Sequence, residues 1–252
     1  MCGLFGCRRG DGANLQLTAP RSAAKRYDRV SEQERDAEFG IADNHPPQKK
    51  EIMPEPLEFY FDFSSPYGYL ASEKIDDLAA RHGREVRWRP ILLGVVFKQT
   101  GAAPLTLVPL KGEYSIRDFS RSARFLDVAY QHPSTFPLAT QHAARAYYWL
   151  HDRDRATARA FAHSVFRALY VEGRNISECE VVLDLAASHR VDRDGLMTAL
   201  ADAKLKDRLK IECDTALAKG VFGSPYIIVD GEPFFGVDRL PQIDRWLASG
   251  GF

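Results

Sequence analysis

The sequence predicts an α/β fold in which a strand–helix–strand unit and a late hairpin are separated by a long run of helices. Three observations carry this. Leu57, Phe59, Phe61 and Phe63 alternate with Glu58, Tyr60 and Asp62 at the two-residue period of a strand. After the second strand, apolar residues recur at helical spacing with no strand signal between them. Near the C-terminus, two short apolar runs flank Asp230-Gly231, a strong hairpin turn signal.

Each element follows in order. The first strand starts at Leu57 and ends at Ser64-Ser65-Pro66, where Ser65 suits an N-cap and Pro66 the first helical position. Leu70, Ile75, Leu78 and Ala79 mark a helix that stops at Gly83. Glu85–Leu93 reads as the second strand, and the short strand–helix–strand spacing implies a parallel pair. Phe119, Ser122, Leu126 and Ala129 mark one helix, Ala143–Leu150 another, and Phe161, Val165, Ala168 and Leu169 a third that stops near Gly173. Ser177 with Glu180 reads as a capping box before Val181–Ala187. Asp194–Ala203 and Leu205–Lys219 complete the helices, which should pack as their own small bundle. Tyr226–Val229 and Phe234-Phe235 form the hairpin, and Asp238 starts a last helix through Leu240, Ile243 and Leu247. That order is a thioredoxin-like fold interrupted by an all-helical insertion domain. The boundaries are 56–96 and 205–252 for the thioredoxin-like domain and 97–204 for the insertion.

Residues 1–55 differ in kind. They mix basic and acidic residues without apolar period and end in Pro46-Pro47 and Pro54, the composition of a disordered extension. The stretch lacks the apolar core of a secretory signal. Met53, directly before the first strand, is a candidate native start.

Composition excludes several classes. Lys+Arg and Asp+Glu are both 34, so there is no basic excess to meet a nucleic-acid backbone. No apolar run approaches the ~20 residues of a membrane-spanning helix. Cys2, Cys7, Cys179 and Cys213 form no CxxC and no Cys/His cluster with zinc spacing, so no metal is expected and the thiols suit a reducing, cytoplasmic setting. Cys179 and Cys213 fall in helical patterns as packing residues.

The chemistry should sit where the first strand meets its helix. A helix start exposes free N–H groups that stabilise anions, a thiolate included. In thioredoxin-like redox proteins this turn carries CxxC. Here Ser65 takes the place of the first cysteine and Gly68 that of the second, so dithiol exchange has no sulfur to use. Ser65 can donate a hydrogen bond to a bound thiolate, or it can serve only as the helix cap; this segment alone leaves both open. The second element is Val221-Phe222-Gly223-Ser224-Pro225-Tyr226. A cis Ser224-Pro225 bond there would turn the preceding backbone outward to pair with an extended peptide, while an ordinary strand start is the other reading.

Glu58-Phe59-Tyr60-Phe61-Asp62-Phe63-Ser64-Ser65-Pro66-Tyr67 resembles the opening of the 2-hydroxychromene-2-carboxylate isomerases. Val221–Pro225 and Phe235-Gly236-Val237-Asp238-Arg239-Leu240 resemble their C-terminal signatures, and Arg89–Gly94 and Val108–Lys111 also fit. The resemblance runs from Pro56 to the C-terminus and extends to the DsbA-like group that includes kappa-class glutathione transferases. It implies glutathione as cofactor and Ser65 as the catalytic residue. It also implies that Ser65, Tyr67, Lys111, Phe222, Ser224, Pro225, Asp238 and Arg239 line the glutathione site, with Asp238 near the γ-glutamyl end. Many relatives have valine where Ser224 stands. Lys98, with Tyr114 and Arg121 more weakly, is implied on the substrate side, where lysines would suit an acidic or aromatic small molecule. Relatives are often homodimers. Met1-Cys2-Gly3-Leu4-Phe5-Gly6 separately looks like the start of glutamine amidotransferases, but the large sandwich of sheets those enzymes build does not follow.

The expected function is a glutathione-dependent isomerase acting by reversible thiolate addition to an unsaturated aromatic 2-oxo acid or its cyclic hemiketal. The alternatives are a kappa-like glutathione transferase and a non-catalytic, peptide-binding thioredoxin relative.

Overall fold

The computed structural model describes residues 55–252. The expectations for the extension, the Met53 start, Cys2 and Cys7 and the amidotransferase-like opening lie outside the described residues. The sheet has four strands: β1 (Leu57–Phe61), β2 (Val86–Pro90), β3 (Tyr226–Val229) and β4 (Glu232–Phe235). Their order is β2-β1-β3-β4, with β1 parallel to β2 and antiparallel to β3. β1 is therefore central. That is why nearly all of it is buried, with Leu57, Phe59 and Phe61 on one face and Tyr60 on the other.

β1 ends two residues sooner than its apolar alternation suggests. The Asp62 N–H leaves the ladder for the Ser224 hydroxyl, and Ser65 N–H closes a turn onto the Asp62 carbonyl at 2.9 Å. The helix that follows is two helices, α1 (Pro66–Ser72) and α2 (Ile75–Arg81). The Ser72 hydroxyl donates to the Tyr69 carbonyl at 2.7 Å and competes with the backbone ladder there. The five-residue step from Leu70 to Ile75 is the trace of this break in the sequence.

Between β2 and β3 run α3 (Leu93–Thr100), α4 (Lys111–Phe125), α5 (Gln141–His151), α6 (Arg155–Tyr170), α7 (Cys179–Ala187), α8 (Arg193–Ala201) and α9 (Ala203–Ala218). The Ser177 capping box does not form. Ser177 donates through both its N–H and its hydroxyl to the Asn175 side chain, and Glu178 is the N-cap of α7. A side-chain turn at Asn175 has taken the serine first. Asp202 ends α8 and caps α9 through the Lys204 N–H. The chain closes through a 3-10 turn at Val237–Arg239 into α10 (Leu240–Ser249), so Asp238 sits in that turn and does not cap the helix.

The helices between β2 and β3 pack on one another and also share one apolar cluster with the sheet. Phe61 of β1 packs on Trp88 of β2 and on Phe166 of α6 at ring distances of 5.3 and 5.4 Å. Phe63 meets the same Phe166 at 5.0 Å, and Tyr69 stacks on Tyr170 at 5.1 Å. One apolar cluster runs from the sheet through α5, α6, α7 and α9.

Candidate active site

The site is built where β1 ends, α1 begins and the segment before β3 crosses them. Pro66 stands at the first helical position of α1 and Ser65 is its N-cap, extended at φ −92°. The Ser65 hydroxyl accepts from the Gly68 N–H at 3.0 Å and donates to the Ser224 carbonyl at 3.0 Å. Ser65 is thus both a cap and a hydrogen-bond donor pointed at the neighbouring segment. The Tyr69 N–H goes to the Ser65 carbonyl and Pro66 has none, so the Tyr67 N–H is the open donor of this turn among the described residues.

The Ser224-Pro225 bond is cis. The Ser224 hydroxyl accepts from the Asp62 N–H at 3.0 Å, so its side chain ties the end of β1 to the segment before β3. The fit is close: a Cβ on Gly68 would lie 2.8 Å from the Ser224 hydroxyl, and one on Gly223 would strike the Phe235 ring at 2.4 Å. The backbone N–H of Gly236 donates to the Pro225 carbonyl at 3.1 Å, so the turn that carries Asp238 begins beside the cis bond.

Beneath this surface lies Asp62, which the sequence reading passed over. It is buried and accepts four hydrogen bonds: from the Ser64 N–H (2.8 Å) and hydroxyl (3.0 Å), the Thr140 hydroxyl (2.7 Å) and the Leu93 N–H (2.6 Å). Burial pushes its carboxyl above the ordinary carboxylate range, against these donors, which favour the anion. Asp62 joins the β1 end to the starts of α3 and α5 and so fixes Ser64-Ser65. An acidic residue inside an aromatic strand pattern was the signal that could have found it.

An apolar cavity of about 290 Å³ opens beside Ser65. Ser65, Tyr67, Phe222 and Ser224 stand on its wall, with Phe97, Phe119, Phe136 and Phe235 among their neighbours. The Phe136-Pro137 bond on the same wall is also cis, which the sequence reading did not anticipate. The Tyr67 hydroxyl donates to Asp118, and burial together with that bond holds the phenol proton in place. Asp118 stays below the ordinary carboxylate range: burial works against this, but Tyr67 and Arg121 outweigh it.

Other expected residues are not brought to the wall. Lys98 and Lys111 are exposed on α3 and α4. Tyr114 is exposed and bonds Asp118 and Arg121 on the outer side of α4. Asp238 pairs with Arg239 at 3.1 Å and faces a second groove, between α2 and α10. The carboxylate of Asp238 folds over Gly236, at φ +109°, where a Cβ would meet it at 2.4 Å. Neither cysteine among the described residues reaches the cavity. Burial pushes the Cys213 thiol up to about 11, and Cys179 is also raised, first by burial and then by Glu180. Cys213 accepts from the Leu92 N–H at 3.4 Å, which makes it a packing residue of α9.

The arrangement offers one hydroxyl donor, one open N–H, a backbone turned outward by a cis bond and an apolar cavity, with no sulfur of its own. Several known proteins resemble this chain in sequence or fold. A 2-hydroxychromene-2-carboxylate isomerase of Sphingobium xenophagum is 28% identical over 77% of this chain and 99% of its own length. The glutathione S-transferase kappa 2 of Caenorhabditis elegans is 27% identical over 77% of this chain and 92% of its own. A solved structure of a 2-hydroxychromene-2-carboxylate isomerase superposes with a TM-score of 0.69 at 26% identity, covering 76% of this chain and 94% of that one. The family model of the DSBA-like thioredoxin domain matches residues 56–248, from just before β1 to the end of α10, and the chain belongs to that family.

Proposed function

We propose that this protein is a glutathione-dependent isomerase that works by reversible addition of the glutathione thiolate to a conjugated carbon. The observation that carries the reading is the Ser65 hydroxyl set against the cis Ser224-Pro225 backbone at the edge of an apolar cavity, with serine where a redox relative would hold cysteine.

On binding, the Ser65 hydroxyl turns from the Ser224 carbonyl to the thiolate, and the open Tyr67 N–H is the second donor. Together they favour the charged sulfur. Ser224 then pairs its backbone with the peptide of glutathione, and Phe222 and Pro225 flank it. Asp238 accepts from the γ-glutamyl ammonium, close to Pro225 through Gly236, and Arg239 meets the neighbouring carboxylate. Lys98, Lys111 and Tyr114 take no part in this reading: none lies on the cavity wall, and none is tied to the Ser224-Pro225 segment as Asp238 is through Gly236. The sulfur forms a bond to the conjugated carbon, and the displaced electron pair moves onto the substrate oxygen. The former double bond rotates. The pair then returns, expels the thiolate and leaves the isomerised double bond.

A second reading is a kappa-like transferase, favoured by a wall with no charged side chain. There a proton traps the adduct and the conjugate leaves. Product analysis separates the two: recovered glutathione marks the isomerase, a stable thioether the transferase.

Ser65→Ala tests the site. Glutathione-dependent turnover should fall by about 10²-fold, the usual effect of losing one donor to a developing charge. The lost N-cap should lower stability by only ~1 kcal/mol. Full activity in a folded Ser65→Ala protein would show that this hydroxyl does not serve the thiolate.

A further inference from the structure

A further cavity lies at the free edge of β2 and shares no residue with the one beside Ser65. Its volume is about 280 Å³, near the lower end of small-ligand sites. Four arginines line it: Arg87 and Arg89 of β2, and Arg155 and Arg159 at the start of α6. Glu85 is the one acidic residue on its wall. These charges are unevenly answered. Arg159 pairs with Asp76 and Arg89 with Glu212, each at 3.1 Å, and neither carboxylate is on the wall. Arg87 has only Glu58, at 3.9 Å, and the Lys219 ammonium holds that carboxylate at 2.6 Å. Arg155 is exposed and makes no ion pair or hydrogen bond among the described residues. It is the first residue of α6, where a cation opposes the helix dipole, so helix stability gives no reason for it.

The backbone of the wall points the same way. β2 is bonded to β1 on one side: the Leu57 N–H meets the Glu85 carbonyl at 2.8 Å, and the Ile91 N–H meets the Phe61 carbonyl at 2.7 Å. By the alternation of a strand, Val86 and Trp88 turn both N–H and C=O to the free side, and both residues line the cavity. Their carbonyls are engaged, by Arg159 at 2.6 Å and by the Tyr147 hydroxyl at 3.2 Å. Their N–H groups have no partner among the described residues. The edge therefore presents open donors beside engaged acceptors, under a rim of guanidinium groups. That is the chemistry of an oxyanion site.

We propose that this cavity binds a phosphate group, free or as the monoester of a small molecule, at a site separate from the one beside Ser65. Four guanidiniums against one carboxylate leave the wall cationic. Arg87 and Arg155 are the two without a close partner, and they match the two charges of a phosphate. Each guanidinium offers a planar fork of N–H donors to a pair of phosphate oxygens. The Val86 and Trp88 N–H groups donate to an oxygen that faces the strand. A single carboxylate brings one charge and two oxygens, too few to engage both forks and the strand edge together.

The full chain is titrated calorimetrically with inorganic phosphate, with glycerol 3-phosphate and with acetate, all at one ionic strength. Phosphate should bind at least about tenfold more tightly than acetate. Arg155→Gln, at an exposed position, should weaken phosphate about tenfold, the worth of a hydrogen bond to a charged group, and leave the Tm of the free protein unchanged. Lys98→Gln removes the same charge from α3 and should leave phosphate affinity as it was. In amide proton–nitrogen spectra, the Val86 and Trp88 signals should move as phosphate is added. The tighter of inorganic phosphate and glycerol 3-phosphate identifies the source of the group, and either one supports the site. The proposal is overturned if neither binds at millimolar concentration, if acetate binds as tightly, or if Arg155→Gln binds phosphate as well as the parent chain. It is also overturned if Lys98→Gln loses as much affinity as Arg155→Gln, or if the Val86 and Trp88 amides stay still while phosphate binds.

Discussion

At the scale of the residue, Ser65 and Asp62 contrast in how they could be read. Ser65 stood out because its neighbour Pro66 marks a helix start and because the position is where a redox relative would carry sulfur. Its two hydrogen bonds, one inward to Gly68 and one across to Ser224, follow from that place. Asp62 was hidden, since its partners Leu93 and Thr140 come from segments distant along the chain. Its chemistry gives a testable consequence. Burial raises its carboxyl above the ordinary 3.8, so the folded chain keeps a proton that the unfolded chain has released. Stability contributed through Asp62 therefore falls as pH rises from the ordinary value through the raised one. Asp62→Asn removes this dependence. It also turns a donor toward Ser64 N–H or Leu93 N–H, which should cost ~1–3 kcal/mol. Calorimetric melting from about pH 4 to about pH 8 should show a lower Tm for the variant and a flatter pH slope in that window. An unchanged slope would mean that Asp62 does not titrate differently on folding.

At the scale of the element, local pattern located strands and helices well where one signal dominated. The hairpin around Asp230-Gly231 is such a case: β3 and β4 flank a turn with φ of 52° and 89° at those two residues, the left-handed values that Asp-Gly supplies. Local pattern failed where two signals competed, as Ser177 did between Asn175 and a capping box, and as Ser72 did inside an expected helix. It also gave no view of how β2, a strand at the edge of the sheet, is protected. Arg159 donates to the Val86 carbonyl, Tyr147 to that of Trp88 and Tyr148 to that of Pro90. Three alternate carbonyls of the free edge are thus closed by side chains from α5 and α6. Tyr148→Phe should leave the buried Pro90 carbonyl unpaired at a cost of ~1–3 kcal/mol, with little change in shape. Urea denaturation would measure it; a difference near zero would mean that another donor replaces the phenol.

At the scale of the whole molecule, the order of elements was legible and the sharing of the core was not. Periodicity tells which face of a helix is apolar but not which neighbour receives it. Phe166 shows the difference. In sequence it is one aromatic residue in a helical pattern, whereas in the fold it touches Phe61, Phe63, Tyr69 and Tyr170, and so binds β1, α1 and α6 into one cluster. The site inherits its rigidity from that cluster, because Phe61 and Phe63 flank Asp62 and lead directly into Ser64-Ser65. Two interleaved domains with separate cores would melt in two steps, whereas a core shared at Phe166 should melt in one. Phe166→Ala removes a fully buried ring and should cost ~3–5 kcal/mol. The loss should appear equally in helical circular dichroism and in the fluorescence of Trp88, isolated by replacing Trp149 and Trp246 with Phe. If the helices keep their melting temperature while the Trp88 signal shifts, the sheet and the helices between β2 and β3 fold as independent units.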